Sequence, residues 1–271
     1  MQVFFTWFQD PKRLDFKRMK EVFMYSLKKH SPEIEIIEHE TVYPKEKFKS
    51  SAPSHFENVY KLGIWNNIIQ KAKEPVLLID CDILILQDIS VLETMDNLKD
   101  ITLTTRTDKP YNTSANCNAG FIYVKPTKEA KDFFNEWYEL SKNFDPKTNK
   151  WRGLYKKYKG ATQTTLGYLR EEKKYENNIS EIPCYIWNCA NLDYSFFNDK
   201  ETKVVHIKSK LRKYILKDLK TTDKTILKLA DKWFEYEKEM INSDPEKYKQ
   251  HKTNIKNRKI IQKPKLRTHK S

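Results

Sequence analysis

The sequence predicts an α/β fold, an open and mainly parallel sheet with helices packed on it. Three features carry this. Continuous apolar runs recur in the first half of the chain, as strands buried on both faces require. Stretches with apolar residues at helical spacing lie between them. The opening order is strand, helix, strand, the unit from which such sheets are built.

Residues 3–8 (VFFTWF) form the first strand. Residues 1–8 are apolar over too short a length for a signal peptide and lack a basic leader, so they belong to that strand. Asp10-Pro11 opens a helix, Asp by capping free amides and Pro by suiting the first turn. Leu14, Met19, Val22, Phe23 and Leu27 recur at helical spacing up to Lys28-Lys29-His30, and Ser31-Pro32 ends it. Residues 34–38 make a second strand. After a loop over 43–54, helical periodicity returns over 55–71 in Val59, Leu62, Ile68 and Ile69. Residues 75–79 are a buried strand that ends in Asp80-Cys81-Asp82, and residues 83–86 continue extended. Further strands lie at 101–105 and, after Asn118-Ala119-Gly120, at 121–124. Thr127 caps a helix with Ala130, Phe133, Phe134, Trp137 and Leu140 on one side. Residues 143–159 read as a long connection or lid, whose Trp151, Tyr155 and Tyr158 either pack or stack on bases or sugars. A helix over 162–173, short strands at 179–183 and 203–207, and an amphipathic helix over 225–240 complete the list. The expected division is a domain over 1–215 and a C-terminal helix with a basic tail over 216–271.

The 271 residues suffice for a sizeable core, and 13% aromatic content argues against wholesale disorder despite a hydrophobic share of 38%. No run of 18 apolar residues occurs, which excludes an ordinary transmembrane helix. Cys81, Cys117, Cys184 and Cys189 form no CxxC pair, so a reduced, cytoplasmic setting is expected. Cys184 and Cys189 with His206 match no zinc-ligand spacing and read as small buried residues. The net charge of +14 comes mostly from lysine and concentrates near the end, where Glu246 is the last acid. Such a tail is either a solvated appendage or a segment drawn to polyanions: nucleic acid, anionic lipid or acidic glycans.

Asp80-Cys81-Asp82 is the strongest chemical signal. Carboxylates separated by one residue at a strand end point to the same side, and ligands of open α/β sheets bind off the carboxyl ends of strands. Two such charges repel unless a cation sits between them, and a hard divalent ion with positions left for phosphate oxygens answers that need. The bland alternative is a pair of solubilising charges.

The segment PVLLIDCDILILQDIS resembles the metal-binding segment of GT-A nucleotide-sugar glycosyltransferases, especially the family-8, glycogenin-like group. Three other stretches agree in order. HFENVYKLGIW places Lys61 where that family has a nucleotide- or sugar-contacting lysine. CNAGFIYVKPT is similar to the Asn-x-Gly strand that lines the donor-sugar pocket, giving Asn118, Ala119 and Gly120. VVHIKSKLRK is similar to the late strand whose histidine, here His206, completes the metal site and whose following lysine (Lys208, Lys210 or Lys213) meets the diphosphate. The resemblance spans about residues 1–215. It implies a Rossmann-like mixed open sheet flanked by helices, Asp80, Asp82 and His206 around Mn²⁺ or Mg²⁺, and a nucleotide-sugar donor, with a UDP-sugar expected. Asn118 and Gln163 are the implied catalytic positions, and Thr6 and Trp7, at the end of the first strand, the implied base contacts. Two departures stand out. Thr162-Gln163 occupies the place of an Asp-Gln pair, which removes a carboxylate and leaves the anomeric outcome open, and Ser209 replaces a glycine after the histidine.

Each residue has a plainer reading: Lys61 as a solvated helix residue, Asn118 as a turn cap, His206 as an ordinary core histidine, Arg106 and Asp108 as surface charge. Three functions are weighed. The first is metal-dependent transfer of a sugar to a glycan or protein, with the tail on an anionic membrane. The second is a viral-type transferase modifying hydroxylated bases of DNA. The third is a non-catalytic nucleic-acid binder on the same scaffold. The intact Asp80, Asp82, Asn118 and His206 count against the third, and glycan transfer is placed first.

Overall fold

The computed structural model describes residues 1–9, 14–42, 53–107, 116–217, 220–249 and 251. The expected Asp10-Pro11 cap, residues 43–52 of the expected loop, Asp108 and the basic tail beyond 251 lie outside them. The elements run β1 (Gln2–Gln9), α1 (Leu14–His30), β2 (Glu35–Val42), α2 (Pro53–Lys71), β3 (Val76–Asp80), β4 (Ile83–Ile85) and β5 (Ile101–Thr105). Then follow β6 (Cys117–Val124), α3 (Lys128–Lys142), α4 (Asn149–Tyr158), α5 (Ala161–Glu171), β7 (Ile179–Pro183), α6 (Cys184–Trp187), β8 (Val204–His206), α7 (Ser209–Lys217) and α8 (Lys224–Ser243).

Six strands form one sheet in the order β2-β1-β3-β6-β5-β7. Pairings are parallel except those of β6, which runs antiparallel to both neighbours. This is the mixed α/β sheet flanked by helices that the sequence predicts. Side-chain alternation sorts the strands onto two cores. Val3, Phe5 and Trp7 of β1 and Leu77 and Ile79 of β3 pack with Phe23 and Leu27 of α1. Phe4, Val76 and Leu78 face the other way, against Leu62 and Trp65 of α2 and Phe133, Phe134 and Trp137 of α3. A separate two-stranded sheet joins β4 to β8, with Ile83 opposite His206.

The caps follow the sequence chemistry. Thr127 accepts the amide of Ala130 (3.2 Å) before α3, and Asp223 accepts those of Thr225 (3.0 Å) and Ile226 (3.2 Å) before α8. α8 shares a core with Met19 and Val22 of α1, Val205 of β8, and Leu211 and Ile215 of α7. Arg18 of α1 forks onto the buried carboxylate of Glu237 in α8 (2.5 and 2.7 Å). His251 bridges the same Glu237 (3.0 Å) to Glu21 (2.6 Å).

The stretch expected as a long connection or lid over 143–159 contains a helix, α4, over residues 149–158. Trp151 and Tyr158 are buried, with Trp151 edge-on to Tyr168 of α5 at 5.2 Å. Those two rings are consumed in packing, and Tyr155 is half-buried against Phe144 (5.7 Å).

Candidate active site

β3 ends at Asp80, and the chain bends through Cys81 and Asp82 into β4. Asp80 continues the Val76–Leu78 face of the strand, which looks toward α2. Lys61 of α2 ion-pairs there with Asp80 Oδ1. The Asp82 carbonyl accepts the amide of Ile207 (2.7 Å), pinning the end of β8 beside it. His206 Nε2 consequently lies 3.1 Å from Asp82 Oδ1 and 3.3 Å from Asp80 Oδ2. One donor atom from each residue falls within 4.8 Å of the others. Neighbouring ligands of an octahedral hard cation with bonds of about 2.1–2.3 Å are about 3.0–3.3 Å apart, so the donor set fits such an ion.

The electrostatics agree. Burial, reinforced by Lys208, pulls the His206 ring down to about 4 against the attraction of Asp80, so it is neutral at physiological pH, as a ligand must be. Burial by itself would raise the Asp80 carboxyl, but Lys61, His206 and Lys208 outweigh it and hold it well below the usual range. Lys208 Nζ stands 3.9 Å from Asp80 Oδ2, and burial lowers its ammonium to about 8 despite that carboxylate. The Arg212 guanidinium, one turn into α7, rests on Asp82 Oδ2. Lys61, Lys208 and Arg212 thus face two carboxylates, an excess of positive charge suited to a polyanion.

β6 closes the site from the side. Its register with β5 jumps from Ile122 opposite Leu103 to Asn118 opposite Thr104, so residues 119–121 bulge out of that pairing. Asn118 Oδ1 accepts the Gly120 amide (3.0 Å) and so stabilises the bulge. Gly120 meets the His206 ring so closely that a Cβ would sit 2.3 Å from Cε1 and 2.6 Å from Nδ1. Gln163 accepts from the Ala119 amide (3.2 Å) and donates to the Cys117 carbonyl (2.8 Å), so its amide is engaged by the edge of the bulge.

A profile of the nucleotide-diphospho-sugar transferase family matches residues 20–218, which hold every element from within α1 to the end of α7. The chain belongs to that family. The transferase resembles solved glycosyltransferases in fold. GlyE of Streptococcus pneumoniae TIGR4 superposes with a TM-score of 0.58 at 15% identity, over 91% of this chain and 63% of that one. The chain therefore spans under two thirds of GlyE's length. The galactosyltransferase LgtC, solved with donor and acceptor sugar analogues, superposes with a TM-score of 0.55 at 14% identity, over 88% and 96% of the two chains. No curated protein sequence matches the chain. The sheet order, the helices on both faces and these neighbours make this a GT-A fold, in keeping with a nucleotide-diphospho-sugar transferase.

The geometry sorts the remaining expected residues of the transferase. Thr6 is in register with Asp80, and among the described residues its buried hydroxyl has no hydrogen-bond partner. Trp7 points to the opposite face of β1, where its indole donates to Glu38 (2.5 Å) and Lys20 covers its ring at 4.2 Å. Lys210 and Lys213 are exposed on α7, whereas Lys208 and Arg212 touch the carboxylates. Arg212 escaped the sequence reading, although it lies inside the quoted VVHIKSKLRK segment. Ser209 adopts φ 47°, a left-handed conformation that ordinarily favours glycine. Arg106 forks onto buried Asp193 (2.8 and 2.7 Å), an ion pair rather than surface charge. Cys184 and Cys189 are free and buried. Among the described residues no helix is long and apolar enough to cross a membrane.

Proposed function

We propose that this glycosyltransferase is metal-dependent and family-8-like, moving a sugar from a UDP-sugar to a hydroxyl of a glycan or protein. The convergence of Asp80, Asp82 and His206 onto one point carries the reading. Asp82 and His206 would hold Mn²⁺ or Mg²⁺, with Asp80 touching both the ion and the donor. When bound, the ion offsets the charge that gathers on the diphosphate as the bond to the anomeric carbon breaks. Lys208 and Arg212 add to that stabilisation, and Arg212 exchanges Asp82 for phosphate oxygens, with which its planar fork pairs equally well. These two residues, rather than Lys210 and Lys213, are the phosphate partners. Lys61 orients Asp80 and lies along the donor. Thr6 contacts the nucleotide, as its unpartnered hydroxyl suggests. Asn118, Ala119, Gly120 and Gln163 shape the sugar pocket. Trp7 bears on the base only through the end of β1.

The transferase unit covers residues 1–215, with α8 as a buttress on α1 and α7. Four free buried cysteines support a reducing, cytoplasmic setting. The DNA-modifying and nucleic-acid-binding readings rested on the tail and the supposed lid. The lid aromatics are packed, and the tail lies outside the described residues. Glycan or protein acceptors remain the preferred reading.

The test is Asp82→Ala, with folding checked by circular dichroism, assayed for donor hydrolysis and transfer across a panel of nucleotide sugars with Mn²⁺ or Mg²⁺. The parent should be stabilised thermally by Mn²⁺, and the variant should lose that stabilisation and both activities. Full retention of either activity would refute the metal site.

A further inference from the structure

His206 reaches the site through one ring nitrogen while the other is held from behind. Its Nδ1 lies 2.8 Å from Asn188 Oδ1, and Asn188 is wholly buried just after α6. Asn188 Nδ2 in turn donates to Thr104 Oγ1 (2.9 Å), and Thr104 Oγ1 donates to the carbonyl of Asn118 (2.9 Å). The directions along this chain follow from what each atom can donate, the Cys184 thiol beside Thr104 being a weaker competitor than a backbone carbonyl. A backbone carbonyl can only accept, so the single hydroxyl proton of Thr104 goes to Asn118. Thr104 Oγ1 must then accept, which turns the amide nitrogen of Asn188 toward it and its oxygen toward His206. The imidazole proton therefore sits on Nδ1, and the lone pair of Nε2 points at Asp82 and Asp80.

That arrangement is not the one an empty pocket favours. With no cation present, a proton on Nε2 would bond to Asp82 Oδ1 at 3.1 Å, whereas a bare lone pair there faces carboxylate oxygens. The competing arrangement requires the Asn188 amide to flip, so that its NH₂ faces Nδ1. The flip would draw the Thr104 proton away from Asn118. The bulge at Asn118 thus selects the ring's tautomer at a distance, through two buried side chains.

We infer that Asn188, locked by Thr104 onto the carbonyl of Asn118, is a positioning residue that holds His206 in the tautomer ready to ligate a divalent cation. It touches neither substrate nor reacting atoms. The link to a cation rests on the metal-dependent reading above, but the tautomer itself does not. The same strand would thereby build the sugar side of the pocket and set the ring that binds the ion. Partners behind a ligating histidine fix ring orientation and basicity, and their loss typically weakens metal affinity by about 10–100-fold.

The experiment uses the whole chain, nitrogen-labelled at histidine, in long-range imidazole correlation spectra of the metal-free protein at neutral pH. Mn²⁺ affinity is measured in parallel from thermal stabilisation. The parent should show His206 protonated at Nδ1. Asn188→Leu should lose that signature and bind Mn²⁺ about 10–100-fold more weakly. Asn188→Asp keeps an acceptor at the same place and should restore both. Thr104→Val preserves shape but frees the amide to flip, so it should mix the tautomers and weaken Mn²⁺ binding without touching the ring. This second route protects the test should Asn188→Leu fold poorly. An Nε2-protonated ring in the metal-free parent overturns the proposal. So does Thr104→Val with an unmixed Nδ1–H ring and parental Mn²⁺ affinity. An Nδ1–H ring in a parent that binds no Mn²⁺ upholds the tautomer lock and sinks the metal site instead.

Discussion

Replacing Gly120 by alanine adds a single methyl at the tightest approach in the site. A Cβ there would stand 2.3 Å from His206 Cε1, 2.6 Å from Nδ1 and 3.1 Å from Asp80 Oδ2. Ordinary carbon contacts lie at about 3.5–4.0 Å, so ring and backbone must separate by roughly 1 Å. The ring has little room to yield. It is wholly buried, bonded to Asn188 on one edge, and its own carbonyl accepts from Tyr194 (2.5 Å). Overpacking of this kind costs about 1–3 kcal/mol of stability. A displacement of about 1 Å at a ligand or positioning group costs on the order of 100-fold in turnover. The assay pairs Mn²⁺-dependent thermal stabilisation with steady-state transfer. Gly153→Ala serves as the control, because a Cβ there meets nothing within 4 Å and the residue lies inside α4. The control should gain about 0.5–1 kcal/mol and keep its kinetics. Should Gly120→Ala retain Mn²⁺ stabilisation and turnover within about twofold of the parent, the tight packing of His206 against β6 is not what shapes the site.

Arg212→Met should separate binding from chemistry. Without the guanidinium on Asp82, Mn²⁺ meets less competition and binds more tightly in calorimetry, while turnover falls by on the order of 100-fold for want of a phosphate partner. Arg18→Met leaves the buried Glu237 carboxylate without its fork, which should cost about 3–5 kcal/mol in denaturant unfolding. Stability should also depend on His251. Burial pulls its ring pKa down, but hydrogen bonds to Glu21 and Glu237 outweigh this and raise it above the ordinary value. A raised folded pKa contributes stability that is full below the unfolded pKa of about 6.5 and fades as pH climbs through the folded one. The melting temperature of the parent should therefore exceed that of His251→Gln most below the unfolded pKa of about 6.5, with the gap narrowing as pH rises above it.

The sheet and its acid pair were legible because local pattern and tertiary fate coincide there. Residues 76–79 are continuously apolar and buried on both faces, and the first polar residue marks where the strand meets solvent and ligand. Caps at Thr127 and Asp223 are local hydrogen bonds, readable from residue type. α4 was missed because Gly153 and its lysines weaken a pattern that Trp151 and Tyr158 still carry, seven residues apart on one face. α7 was missed because it is nine residues long with only Leu211 and Ile215 buried, and it begins at a left-handed serine. Arg212 stayed hidden for the same reason: only the start and direction of that helix bring residue 212 rather than 210 or 213 onto Asp82. Asn188 carries no signal in sequence, since its role exists only where β5, β6 and β8 meet.

The short ladder between β4 and β8 has a consequence for how the enzyme is made. Its partners, Ile83 and His206, sit far apart in the chain, with β5, β6 and β7 of the main sheet between them in sequence. A ribosome that has delivered both acids has still not delivered the imidazole, so a nascent chain at that point holds the carboxylates with Lys61 alone of their cationic partners. Closing that ladder joins distant parts of the chain, a non-local pairing of the kind that slows folding. Any ion that grips both ends would act as a clasp across it, favouring the finished fold in proportion to its free concentration.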